Sequence, residues 1–304
     1  MKNTDYSILA LAALGQKILK INPETGSAEV LINTPGKSPD GIVVDNVHGH
    51  IYATNMGVPT GGETLYNNDG SIERIDLDGS HHKIIIPVGE TVTPKQLTLD
   101  RKNERIYWCD REGMRVMSAK YDGSDITTLV QRGKGNEDMK DENKHCVGIA
   151  VDPDAGYFYW SQKGPAKGGN GRIFRAKIEI PKGETATNRT DIELLYERLP
   201  EPIDLELDFV NGYLYWTDRG VDAIGGNTLN RAKLENIGNS KVEIIGSGHK
   251  EAIGLAIAPD HNSVFTADLG GHIRQFDVLT GAQKMIYEGG KDLLLTGITI
   301  MHNS

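Results

Sequence analysis

Residues Ile203-Asp-Leu-Glu-Leu-Asp208, followed by Gly212-Tyr-Leu-Tyr-Trp-Thr-Asp218, decide the fold. An apolar–polar alternation runs into a turn, and an aromatic-rich run follows it. Period-two alternation on both sides of a polar turn is the pattern of two antiparallel strands. The same phrase recurs upstream. Gln96-Leu-Thr-Leu-Asp100 precedes Arg105-Ile-Tyr-Trp-Cys-Asp110, and Gly148-Ile-Ala-Val-Asp152 precedes Gly156-Tyr-Phe-Tyr-Trp-Ser-Gln162. Looser copies pair Gly41-Ile-Val-Val-Asp45 with Ile51-Tyr-Ala-Thr-Asn55, and Gly254-Leu-Ala-Ile-Ala258 with Val264-Phe-Thr-Ala-Asp268.

Each copy continues alike, with a loop, a third alternating segment, a polar turn and a fourth segment. In the second copy these are Met114–Lys120, the turn Tyr121-Asp-Gly-Ser124, and Ile126–Val130. Four short strands per repeat of roughly 40 to 55 residues describe a propeller blade. Full copies fill residues 38–290. Thr296-Gly-Ile-Thr-Ile-Met301 then matches a first strand, and Ser7–Ala12, Gln16–Ile21 and Ser27–Ile32 match strands two, three and four. The expected fold is therefore all-β: a six-bladed propeller of four-stranded antiparallel blades, its sixth blade closed by both termini. Residues 1–304 form a single domain on this reading. Closure leaves no free sheet edge.

Composition sets the boundaries. The 304 residues carry 33 Lys+Arg against 42 Asp+Glu, a net charge of −9. Without a Lys/Arg block, that balance excludes a nucleic-acid partner. The longest uninterrupted apolar run, Ile8–Leu14, has seven residues, where a spanning helix needs roughly 20. With Met1 and Lys2 before it, the run has a faint signal-peptide look. The repeat gives it a place in a strand instead, so neither membrane nor export is expected and the location is read as cytoplasmic. Cys109 and Cys146 are read as reduced, buried thiols, and the sequon Asn188-Arg189-Thr190 as a chance match. Nothing in the sequence sets an oligomeric state.

Tyr215-Trp-Thr-Asp218, with Tyr107-Trp-Cys-Asp110 and Tyr159-Trp-Ser-Gln162, resembles the YWTD repeat of low-density-lipoprotein-receptor propellers. That family implies six blades. The recurring Trp108, Trp160 and Trp216 are expected in the packing between sheets. Asp110, Asp218 and Asp268 are expected to accept backbone N–H groups at the strand exit. Asp45, Asp100, Asp152 and Asp208 should open turns.

In a propeller the strand two–three loops and the links between blades share one face, here called the top. Long loops at 56–70, 163–171 and 220–228 gather there, the usual seat of binding on a rigid scaffold. The link from Gln131 to Lys144 is read as a mobile or disordered flap. The Gly61-Gly62, Gly168-Gly169 and Gly225-Gly226 pairs precede no helix and lack phosphate-loop spacing, so they are read as turn glycines. Around the channel mouth Asp40, Lys95 and Gln96 make one polar sector. Val147, Ile203, Ile253 and Leu295 make an apolar one. Asp40-Gly-Ile-Val-Val-Asp45 resembles a segment of gluconolactonase-type propellers, which implies a central divalent metal. Only Asp40 occupies a ligand position, and Lys95 would repel a cation there. No metal and no cofactor are therefore expected. His145 and Cys146 are adjacent on a strand and point to opposite faces, which argues against a Cys/His nucleophile.

A half-apolar mouth with a few donors suits an apolar small-molecule substrate. The free-standing propeller is also similar to fungal pathway proteins of the hetero-Diels–Alderase type. That resemblance implies a cofactor-independent cyclase joining a tropolone quinone methide to a humulene-like sesquiterpene. Such a reaction needs orientation and a polarised carbonyl rather than a nucleophile. On this reading Lys95, Gln96 and Arg111 are the catalytic donors, and Asp40 and Asn55 orient. Met56, Tyr66, Val147, Ile203, Ile253 and Leu295 form the substrate wall. The alternatives are a non-catalytic protein- or ligand-binding propeller and a metal-dependent lactonase.

Overall fold

Alternating segments become strands, and the strands group in fours. A computed structural model of the chain describes residues 5–34, 38–61, 64–290 and 292–303. It contains six four-stranded antiparallel sheets. Met1, Lys2 and Gly62 lie outside the described residues. The first strands of blades one to five are Pro39–Asp45, Pro94–Asp100, Cys146–Asp152, Pro202–Asp208 and Ala252–Ile257. Leu295–His302 supplies the first strand of blade six, and each first strand packs on those of its two neighbours, closing a ring. Blade six takes its other strands from Tyr6–Ala12, Lys17–Ile21 and Ala28–Asn33. Leu295–His302 pairs antiparallel with Tyr6–Ala12, so Ile8 to Ala12 are buried strand residues.

The repeat residues hold this ring in the ways their chemistry allows. Trp108, Trp160 and Trp216 are fully buried, each in a different inter-sheet core. Asp110 accepts from the backbone N–H of Val92, Thr93 and Gly113, and Asp268 from Lys250, Gly270 and His272. Asp218 accepts from Glu201 N–H. At the opposite strand ends Asp45, Asp100, Asp152 and Asp208 accept from N–H groups of the turns they open.

Two further devices stitch neighbouring blades together at the axis. The hydroxyl after Trp160 and after Trp216 bridges two inner strands, while the Cys109 thiol after Trp108 donates to the Gly148 carbonyl of the next blade. Ser161 accepts from Gly148 N–H and donates to Ile203 carbonyl, while Thr217 accepts from Asp204 N–H and donates to Ile253 carbonyl. Inner-strand glycines permit the close approach this needs. A Cβ on Gly148 would lie 2.0 Å from Ile203 O, and one on Gly254 would lie 2.4 Å from Thr296 O. Blades two and four carry Gln96 and Asp204 at that position, and both side chains bond to the neighbouring inner strand. Gln96 donates to Asp40, and Asp204 accepts from Leu255 N–H.

The link between blades two and three is structured. It folds into a helical turn, Gly135–Met139, and a 3-10 turn, Glu142–Lys144. Asp138 accepts from Lys134 N–H and pairs with Lys144 at 2.6 Å. Gln131 ties the start of the link to the Gly113 and Gly133 carbonyls. The expectation of a disordered flap is corrected: local Asp and Gln side chains satisfy the backbone that the charged composition seemed to leave loose. No helix among the described residues is long and apolar enough to cross a membrane.

Candidate functional site

A basic residue follows the second strand in blades two, three and four: Arg111, Lys163 and Arg219. Strand two ends at the top face, so all three side chains start from equivalent places beside the channel mouth. All are buried. Buried cations need carboxylate partners; the strand two–three loop provides one for Arg111, and the links between blades provide them for Lys163 and Arg219. Arg111 Nε donates to both oxygens of Glu112 at 2.9 Å. Lys163 lies 3.1 Å from Glu142 and 3.5 Å from Glu201. Arg219 lies 3.1 Å from Glu201 and 3.5 Å from Glu251. Glu201, fully buried, thus bridges two blades. The sequence reading found Arg111 and missed Lys163, Arg219 and their acids. The available signal was the basic residue repeated directly after the aromatic motif.

Asp40, Lys95 and Gln96 come together as the sequence implied, but they face each other. Lys95 Nζ lies 2.5 Å from Asp40 Oδ1 and 3.3 Å from Met56 Sδ. Gln96 Nε2 donates to the Asp40 carbonyl and to Oδ2. Burial pushes the Lys95 pKa down; Asp40 pulls it up, and the Arg111 charge pushes it down again. Asn55 accepts from Ser38 and Gly57 N–H groups, a loop-holding task. Val147, Ile203 and Ile253 are buried and pack on one another, with Leu269 against them. They close the apolar sector instead of leaving it open. Leu295 sits elsewhere, in the core between blades five and six. Across the channel, burial drives the Asp204 carboxyl well above the ordinary range, and Glu206 adds to that.

Arg111 and Tyr66 belong to a separate cavity of 260 Å³ on the top face. Thr64, Glu112, Lys140, Glu142, His145 and Lys163 complete the polar part of its lining. The structured link carries His145 into this wall, and His145 is only 4% exposed. Its Nε2 meets the Met139 carbonyl at 2.8 Å, which assigns the N–H to that nitrogen. Nδ1 is then a bare lone pair, buried and without a hydrogen-bond partner. Burial lowers the His145 pKa, favouring the neutral ring. The ring is neutral beside the Arg111 and Lys163 cations, and Nδ1 becomes a base only for a ligand that displaces the groups now covering it. The neighbouring Cys146 cannot share that work. Burial pushes its thiol up to about 12, and its sulfur packs in the blade two–three core.

A second concavity of 230 Å³ opens at the other end of the channel. Burial pushes its Glu206 up to about 7, against the pull of Arg101. Among the described residues no group of three or more His, Cys, Asp or Glu is placed to hold a metal ion.

No family model matches the chain. A Pyricularia oryzae protein named low-density lipoprotein receptor-related protein 1 is 39% identical over 296 residues, covering 94% of this chain and 92% of that protein. The Cochliobolus heterostrophus 3-hydroxyacyl-CoA dehydrogenase-like protein LAM1 is 38% identical over 273 residues. That match covers 86% of this chain but only 56% of LAM1, so the chain spans little more than half of that relative. Among solved structures, a chain of a nidogen/laminin complex superimposes with a TM-score of 0.75 at 21% identity, over 98% of this chain and 100% of that one. That likeness speaks to the fold.

Proposed function

The chain belongs to the family of the Pyricularia oryzae low-density lipoprotein receptor-related protein 1, and from that premise we propose a cofactor-independent enzyme of fungal secondary metabolism that acts on one small polar molecule in the top-face cavity. The observation that carries this reading is the unpartnered Nδ1 of His145 beside Arg111 and Lys163. A volume of 260 Å³ is just under the roughly 300 Å³ at which drug-sized pockets begin. It suits a single compact ligand bearing a carbonyl and a hydroxyl. Arg111, held by Glu112, and Lys163, held by Glu142 and Glu201, bind and polarise the carbonyl. His145 accepts the hydroxyl proton. Tyr66 covers the opening.

The test separates binding from chemistry. Arg111→Ala should weaken ligand binding at least tenfold. His145→Asn should leave binding within a few-fold and lower turnover by about 100-fold or more, the usual contribution of a positioned base. Binding without turnover in the parent protein would favour the non-catalytic ligand-binding alternative. Unchanged binding in Arg111→Ala would remove the cavity from consideration.

The hetero-Diels–Alder reading, a tropolone quinone methide joined to a humulene-like sesquiterpene, is supported by one observation: the Val147–Ile203–Ile253 cluster lies at the same mouth as Lys95 and Gln96. It requires those donors to leave Asp40 and the cluster to part. Alanine at Lys95 and Gln96 should then abolish product stereochemistry, and unchanged stereochemistry would sink it.

A further inference from the structure

Among the described residues five arginines lie over aromatic rings, and three of them follow one rule. Arg175 over Tyr157 pairs with Glu193 at 2.7 Å. Arg189 over Phe158 pairs with Asp191 at 2.7 Å. Arg231 over Tyr213 pairs with Glu243 at 2.8 Å. The remaining two break it together. Arg132 and Arg172 both lie over Phe174, at 5.4 and 5.5 Å from its centroid. Neither has a carboxylate within ion-pair distance among the described residues.

Trp160 stacks on Phe174 at 5.2 Å and 17°. It takes one face of the ring, and both guanidiniums lie within 5.5 Å of the same centroid. Arg172 donates through Nη2 to the Asn143 carbonyl at 2.6 Å, while its Nε is buried without a partner. Burial and then the like charge of Arg132 lower the Arg172 pKa, while Asp141 and Glu197, beyond ion-pair distance, pull it back up less strongly. Two half-buried cations on one platform are costly unless an anion lies between them. Planar guanidiniums offer paired N–H donors that match tetrahedral oxyanions.

We infer that Arg132, Arg172 and Phe174 form a clamp for the phosphate group of a small molecule, at the junction of blades two and three. Two positive charges match a phosphate dianion better than a single carboxylate. The clamp is lined by different residues from the cavity around His145, so it stands or falls without the function proposed above.

The test titrates inorganic phosphate into the protein at low ionic strength, by calorimetry and thermal unfolding. Sodium acetate is the parallel arm. The expected result is saturable phosphate binding that raises the melting temperature. Arg132→Gln and Arg172→Gln should each weaken it at least tenfold, and acetate should bind at least tenfold more weakly. In phosphate-free buffer Arg132→Gln should melt at or above the parent temperature, because it relieves repulsion. The inference is overturned by absent or non-saturable binding, by variants that bind phosphate as the parent does, or by acetate binding equally well. A marked drop in the phosphate-free melting point of Arg132→Gln would also overturn it, because the guanidinium would then be stabilising the fold on its own.

Discussion

Thr217 shows how one side chain serves two blades. Its hydroxyl accepts from Asp204 N–H in its own blade and donates to the Ile253 carbonyl of the next. Thr217→Val keeps the shape but leaves both buried backbone groups unpaired, which should cost about 1–3 kcal/mol in urea unfolding. Thr217→Ser should be nearly neutral. If Val and Ser behave alike, the bridge contributes nothing. His249 offers a pH test. Its Nδ1 meets the Asn227 carbonyl and its Nε2 the Thr266 hydroxyl, and burial pulls its pKa from 6.5 to about 4. Unfolded chains therefore take up a proton below pH 6.5 that folded His249 refuses until about pH 4. This contribution is constant above that window, and stability is lost as pH falls through it, by about 3 kcal/mol in total. His249→Gln should flatten that part of the stability-against-pH curve. An unaltered slope would remove His249 as its cause. The motif's Trp and Asp roles were legible because they repeat and act locally. The hydroxyl's role was not, because its acceptor lies in the next blade, 36 positions along for Thr217.

At the scale of elements, the inner strands set the limit on substitution. Gly148→Ala would push a methyl against Ile203 O. The strands must part, at a cost of about 1–3 kcal/mol by the usual measure of overpacking. A melting temperature equal to the parent's would show that the ring is looser than described. Strand number and order could be read from period-two alternation and turn residues, down to the sixth blade split between the ends. The link between blades two and three could not. Its charged residues read as solvated, yet Asp138 and Asp141 hold the backbone of its two helical turns. The candidate site suffered from the same blind spot. Lys95 and Gln96 looked like donors facing a ligand, and only their partner Asp40, 55 and 56 positions away in sequence, reveals them as clamped. Arg111 and Tyr66 were identified, but not the cavity they share with His145 and Lys163.

The whole molecule is a ring fastened once, between Tyr6–Ala12 and Leu295–His302. Deleting residues 295–304 should expose the edge of blade six and the core around Ile8, Ala10 and Ala12. Loss of a single cooperative transition in calorimetry is expected; a transition as sharp as the parent's would mean that the fastening is dispensable. The net charge of −9 is not concentrated at the top face. There Arg111, Lys163 and Arg219 alternate with Glu112, Glu201 and Glu251, leaving a balanced rim around one small cavity. That cavity is the central claim. Its most direct test is native mass spectrometry of the protein after equilibration with an organic extract of a fungal culture. The account predicts one small molecule retained by the parent and lost from an equally well-folded Arg111→Ala variant. Retention of nothing, or equal retention by both, would contradict it.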